Sequence, residues 1–176
     1  MINNINGIVI VYTGEGKGKT TAALGLLMRA SGQGLRTCMI QFIKAKTGRW
    51  GEIKAAEKLG LEWYITGDGF TWKSKDMDET VARAQHGWRL AQEKISSGDY
   101  DLIVLDEFTY AMHYNWLETK AVIEWLKTNK PPELNLVITG RHAPEQLLDY
   151  ADLVTEMTKI KHPYDQGCKG QKGIEF

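Results

Sequence analysis

Residues 8–25 read IVIVYTGEGKGKTTAALG. An apolar, β-like run over residues 8–12 passes without a linker into Gly14, Glu15, Gly16, Lys17, Gly18, Lys19, Thr20 and Thr21, and those residues open a helix-like segment. A strand, a glycine-rich turn and a helix in that order form the context in which a phosphate-binding loop has physical meaning. Glycines let successive backbone N–H groups converge on phosphate oxygens, and the helix start adds its dipole. Lys19 supplies neutralising charge, and the Thr20 hydroxyl can ligate magnesium. Gly14 through Thr21 is therefore the expected cradle for the polyphosphate of ATP with Mg2+. One departure from the usual GxxxxGK[ST] pattern stands out: counting back from Gly18, the first glycine is replaced by Thr13. A loop one residue short cups the phosphates differently, so the bond attacked need not be the terminal one.

Outward from this stretch, further short apolar runs occur at residues 37–43, 61–65, 102–105, 134–138 and 152–157. Their length, their Val and Ile content and the lack of strict alternation fit strands buried on both faces of a parallel sheet. Helix-like segments separate them. Residues 20–31 and 52–59 form two; Asp76 and Glu79 resemble a capping box before a third, with Met77, Val81, Ala84, Trp88, Ala91 and Ile95 at steps of four and three, ending at Gly98. Residues 117–127 form a fourth, stopped by Pro131 and Pro132, and Pro144 suits the first position of a short helix to Tyr150. The expected fold is α/β: a P-loop NTPase-like (RecA-like), mostly parallel sheet of about six strands with helices on both faces. No repeat or linker divides the chain, so residues 1–176 read as a single domain, with residues 162–176 as a C-terminal loop segment of it.

The run over residues 101–107 is an apolar strand that delivers Asp106 and Glu107 at its C-terminal end, where ligands collect in open α/β sheets. Magnesium takes a few carboxylates together with water and phosphate oxygens, so one of the two is expected to ligate it beside Thr20. Spacing alone does not divide the roles. Arg141, following the run that ends at Thr139, falls at the same sheet edge, whereas Lys44, Lys46 and Arg49 read as a solvated basic loop. His86 reads as a structural residue of an amphipathic helix, and Cys38 as a packed small hydrophobe.

Composition narrows the classes. Lysine plus arginine balance aspartate plus glutamate at 22 each, which argues against a nucleic-acid or anionic-membrane partner and for a small-molecule ligand. Cys38 and Cys168 form no metal-ligand spacing, and no apolar run is long enough for a membrane span, so a reduced, cytoplasmic chain is expected.

With TGEGKGKTTAALG, GDGFTW, VLDEFTYA, ITGR, KHPYDQG and GIEF on the page, the chain resembles the ATP:corrinoid adenosyltransferases of the CobA/BtuR type over nearly its whole length. The resemblance implies transfer of the 5′-deoxyadenosyl group of ATP to the cobalt of a reduced corrinoid, releasing triphosphate, with the short loop holding the nucleotide in reverse orientation. It implies that Glu107 ligates magnesium with Thr20, that Lys19 stabilises the leaving group, and that Phe70 and Trp72 displace the lower axial ligand and close that face of the corrinoid. An electron-donating reductase or flavodoxin-like protein and a homodimer follow from the same resemblance. Two other readings share the cradle: another P-loop ATPase or small-molecule kinase, which would yield ADP, and an ATP-dependent binding module of RecA-like architecture.

Overall fold

The computed structural model describes residues 6–45, 50–67 and 77–174, with backbone alone at residues 44 and 45. Among these residues six strands form one parallel sheet in the order β3-β2-β4-β5-β1-β6. They are β1 (Val9–Thr13), β2 (Thr37–Ala45), β3 (Glu62–Gly67), β4 (Leu102–Asp106), β5 (Asn135–Thr139) and β6 (Leu153–Glu156). The helices are α1 (Lys19–Gly32), α2 (Gly51–Leu59), α3 (Met77–Ser96), α4 (Thr109–His113), α5 (Thr119–Asn129) and α6 (Glu145–Tyr150). The expected parallel α/β architecture is thus the one observed. Two elements were not anticipated: the five-residue α4 and a 3-10 helix, Pro163–Gln166, in the tail expected to be loop. Pro144 sits one position earlier than expected, as the extended N-cap of α6.

Side-chain alternation divides the core between the two sheet faces. Val9, Val11, Cys38, Ile40, Phe42, Ile103, Leu105, Leu136 and Ile138 pack with α3, α5 and α6 on one face. Ile10, Met39, Leu102, Val104 and Val137 pack against Ala23, Leu27 and Ala30 of α1 on the other. Because both sides of each central strand are buried, these strands read as continuous apolar runs. Cys38 is fully buried, and burial pushes its thiol up to about 12, consistent with a packing role. On α3 the expected stripe holds from Val81, half-buried against the core, to Ile95, but Met77 on the same face is exposed and Thr80 is buried.

The edge strand β3 is fastened at its start by Glu62. Its carboxylate accepts hydrogen bonds from the Tyr64 hydroxyl, from the Tyr100 hydroxyl at 2.7 Å and from Lys94 Nζ at 3.0 Å. The Lys94 ammonium also lies over the rings of Tyr64 and Tyr100. Burial alone would raise the Glu62 pKa, but the donated hydrogen bonds outweigh it and hold the carboxyl below its ordinary value. A carboxyl depressed in the folded state contributes stability above its unfolded pKa, about 4.3, and that contribution is lost as pH falls through the folded value. Urea unfolding of Glu62→Gln should therefore show a shallower loss of stability than the parent as the pH drops below about 4.3; an unchanged acid limb would contradict this fastening.

Candidate functional site

The turn between β1 and α1 is shaped by its glycines and braced from outside. Gly14 adopts φ 95°, open to glycine at little cost. At Gly16 the constraint is space: a Cβ there would lie 2.6 Å from the Met157 carbonyl oxygen. That carbonyl accepts from the Gly16 N–H at 2.6 Å, and the Met157 N–H donates to the Thr13 carbonyl at 2.8 Å. The segment following β6 therefore clamps the turn from the strand side. Lys19 is buried, and its Nζ donates to the Gly14 carbonyl at 2.7 Å and the Gly16 carbonyl at 2.8 Å. Desolvation lowers its pKa, opposed by the nearby charges of Glu107, Glu15 and Asp106. Lys17 is exposed on the same turn, and Thr21 is exposed in the first turn of α1.

The two carboxylates at the end of β4 are placed differently. Asp106 is fully buried on the α1 side. Its Oδ1 accepts from the Thr20 hydroxyl at 2.9 Å and the Thr139 hydroxyl at 2.7 Å, and its Oδ2 from Gln41 Nε2 at 2.9 Å. Glu107 is half-buried, and its backbone N–H donates to Thr139 Oγ1 at 3.0 Å. The chain has to change direction here. Asp106 faces α1, whereas Phe108 enters the opposite core, against Phe42 at 4.7 Å and Trp88 at 5.3 Å between ring centroids. Glu107 makes the turn with φ 60°, a left-handed conformation uncommon for a residue with a side chain. Because β5 lies between β1 and β4, its last residue, Thr139, reaches both carboxylate-bearing residues.

Beyond β5, the Thr109 hydroxyl donates to the Arg141 carbonyl at 2.6 Å. The Arg141 guanidinium meets Glu15 of the turn at 3.1 Å, and His142 Nε2 lies 3.6 Å from the same carboxylate. His142 also stacks on His113 with centroids 4.4 Å apart. Burial, reinforced by Glu107, pushes the nearby Tyr110 hydroxyl up to about 12. The structure thus gathers Gly14 to Thr21, Asp106, Glu107 and Arg141 at one end of the sheet. Phe70, Trp72, Lys46 and Arg49 lie outside the described residues, as does the Lys44 side chain. His86 is exposed on α3, not packed as a structural residue. Sequence reasoning missed Gln41, Thr139 and Met157. Gln41 was detectable as an amide interrupting an apolar strand; Met157 carried no signal, because it acts through its backbone.

A phosphate-loop turn ahead of α1, a buried carboxylate two strands away and the strand order between them are the features of a P-loop NTPase-like α/β protein. FlaH, a flagellar accessory protein of Methanocaldococcus jannaschii, has the same fold with a TM-score of 0.60 over 86% of this chain and 71% of that one, at 12% identity. Sequence relatives narrow the class: the chain belongs to the ATP:corrinoid adenosyltransferase BtuR/CobO/CobP family, whose model matches residues 5–176. It is 41% identical over 173 residues to a corrinoid adenosyltransferase of Sinorhizobium sp, covering 97% of this chain and 80% of that protein. Corrinoid adenosyltransferase of Escherichia coli K12 is 38% identical over 172 residues, covering 97% and 86%. Corrinoid adenosyltransferase CobA of Salmonella typhimurium is 39% identical over the same length and shares.

Proposed function

We propose that this chain transfers the 5′-deoxyadenosyl group of ATP to the cobalt of a Co(I) corrinoid and releases triphosphate. The observation that carries the reading is the meeting of Lys19, Thr20, Asp106 and Glu107 at one short phosphate loop in a chain of this family. In the step, a cobalt electron pair forms the bond to C5′, the C5′–O bond breaks, and its pair leaves on triphosphate; cobalt passes from Co(I) to Co(III). No proton moves, so no general base is needed. The protein's task is to hold the two reactants in line and to stabilise the charge of the leaving group. Lys19 and the N–H groups of the turn do the second.

The oxygen donors suit magnesium, a hard cation that favours one or two carboxylates, a hydroxyl and phosphate oxygens. When bound, magnesium would offset charge on the leaving triphosphate. Thr20 and Glu107 would hold it directly. Asp106, with its oxygens already accepting three hydrogen bonds, would instead orient the Thr20 hydroxyl. Glu107→Gln should accordingly keep the fold while slowing adenosyl transfer about a hundredfold. Anaerobic incubation with MgATP and chemically reduced cob(I)alamin, followed by the corrinoid spectrum and a triphosphate assay, tests both. ADP as product would overturn the proposal, and full turnover in Glu107→Gln would remove that residue from it.

The same reading assigns Phe70 and Trp72 to closing the lower face of the corrinoid. It takes residues 1–176 as one catalytic domain acting in the cytoplasm as a homodimer, supplied with electrons by a reductase or flavodoxin-like protein. Among the described residues no helix is long and apolar enough to cross a membrane.

A further inference from the structure

Unlike the central strands, β3 is only half-buried from Glu62 through Thr66. Helices α2 and α3 stand apart along it and leave a cleft of about 640 Å³, within the size range of small-molecule sites. Its walls carry Trp50 at the N-cap of α2, Lys54 and Glu57 from α2, Trp63 and Tyr64 from β3, and His86 and Leu90 from α3. Flat rings with aliphatic filling recognise a planar heterocycle by stacking, and the exposed Lys54 suits an attached phosphate.

A second observation ties the cleft to the phosphate cradle. The indole Nε1 of Trp63 donates to Gln41 Oε1 at 3.0 Å, and Gln41 Nε2 donates to Asp106 Oδ2 at 2.9 Å. Asp106 Oδ1 in turn receives the Thr20 hydroxyl at 2.9 Å. Gln41 is fully buried. With its oxygen held by an indole and its nitrogen by a carboxylate, its amide has one satisfactory orientation. A ligand that shifts Trp63 therefore bears on the residue that orients Thr20.

We propose that this cleft binds the flat heterocyclic base carried on the phosphate-bearing tail of a complete corrinoid, and that Trp63 and Gln41 couple its occupancy to Asp106 and Thr20. The inference rests on the corrinoid reading above and adds a site for a part of the substrate remote from cobalt. Binding there would hold the displaced base away from the metal and tighten the magnesium–nucleotide end of the site. By linkage, MgATP would tighten base binding by the same factor.

Isothermal titration of the protein with free 5,6-dimethylbenzimidazole, with no corrinoid present, tests the site directly. Saturable one-to-one binding is expected, weakened about tenfold in Trp50→Ala, as for loss of one stacking ring. MgATP should tighten it in the parent but not in Gln41→Met. In turnover, Trp50→Ala should raise KM about tenfold more for cobalamin than for cobinamide, which lacks the base. Absence of saturable binding, equal binding in a folded Trp50→Ala, or preferential binding of adenosine would overturn the proposal. Should Trp50→Ala fail to fold, Lys54→Ala, tested with the ribosyl phosphate of the base, gives the same decision at the rim. Failure to adenosylate either corrinoid would instead sink the adenosyltransferase reading and leave the base titration to stand or fall alone.

Discussion

Replacing Asp106 with alanine should destabilise the protein by about 3 kcal/mol, because it strips three buried or half-buried donors of their acceptor at once. Thr20, Thr139 and Gln41 all donate to this one carboxylate. In a domain of this size the melting temperature should fall by roughly 10 °C, read by circular dichroism. Asp106→Asn sharpens the test. Its amide oxygen can accept from both hydroxyls, but its NH2 then faces the NH2 of Gln41. Turning the Gln41 amide over relieves that clash only by setting its NH2 against the Trp63 indole N–H. Trp63→Phe removes the indole donor and frees Gln41 to turn. The double variant should therefore be more stable than the sum of the two single changes predicts, by about 1 kcal/mol. Strict additivity would show that Trp63 and Asp106 are not coupled through Gln41.

Adenosyl transfer should fall about a thousandfold in Lys19→Ala, with corrinoid binding little changed. The side chain is buried with its ammonium between two carbonyls of the turn, within reach of any phosphate seated there. Lys19→Arg should not restore the rate, since a planar guanidinium is larger than this enclosure and aims its donors differently. The pH dependence follows from burial, which lowers the Lys19 pKa. The alkaline limb of kcat/KM for ATP, which reports the free protein, should set in below the ordinary lysine value of about 10.4. Over the window between the folded and unfolded pKa values the unfolded chain binds more protons at this position, so its contribution to stability rises with pH there while activity falls. An activity limb at or above the ordinary value would mean that Lys19 is not the group whose charge matters. Retention of more than about a tenth of the rate in Lys19→Ala would remove it from leaving-group stabilisation.

Much of this site is readable in one dimension because its chemistry is local. A phosphate cradle needs glycines, a lysine and a hydroxyl within eight consecutive residues, and Gly14 to Thr21 provide them. The central strands were legible for a similar reason: burial on both faces turns β1, β2, β4 and β5 into apolar runs that no amphipathic helix resembles. Helix α4 escaped because five residues after the acidic strand span barely one turn and carry no periodicity. The difference between Asp106 and Glu107 was equally hidden. Adjacent acids look alike in sequence, and only the opposite burial of Asp106 and Phe108 forces Glu107 into its left-handed turn.

The order of the chain alone therefore settled that a strand, a short glycine-rich loop and a helix begin an α/β fold, and that another strand leads into two acids. Tertiary structure decided which partners complete them. Thr139 reaches Asp106 because β5 is inserted between β1 and β4, and Met157 clamps Gly16 because β6 pairs with β1 on the other side. Gln41 joins the site because β2 runs beside β4 in the register that sets it opposite Asp106. These contacts depend on strand order and register, and both follow from how the whole sheet buries its two faces, which is a property of no local stretch of sequence.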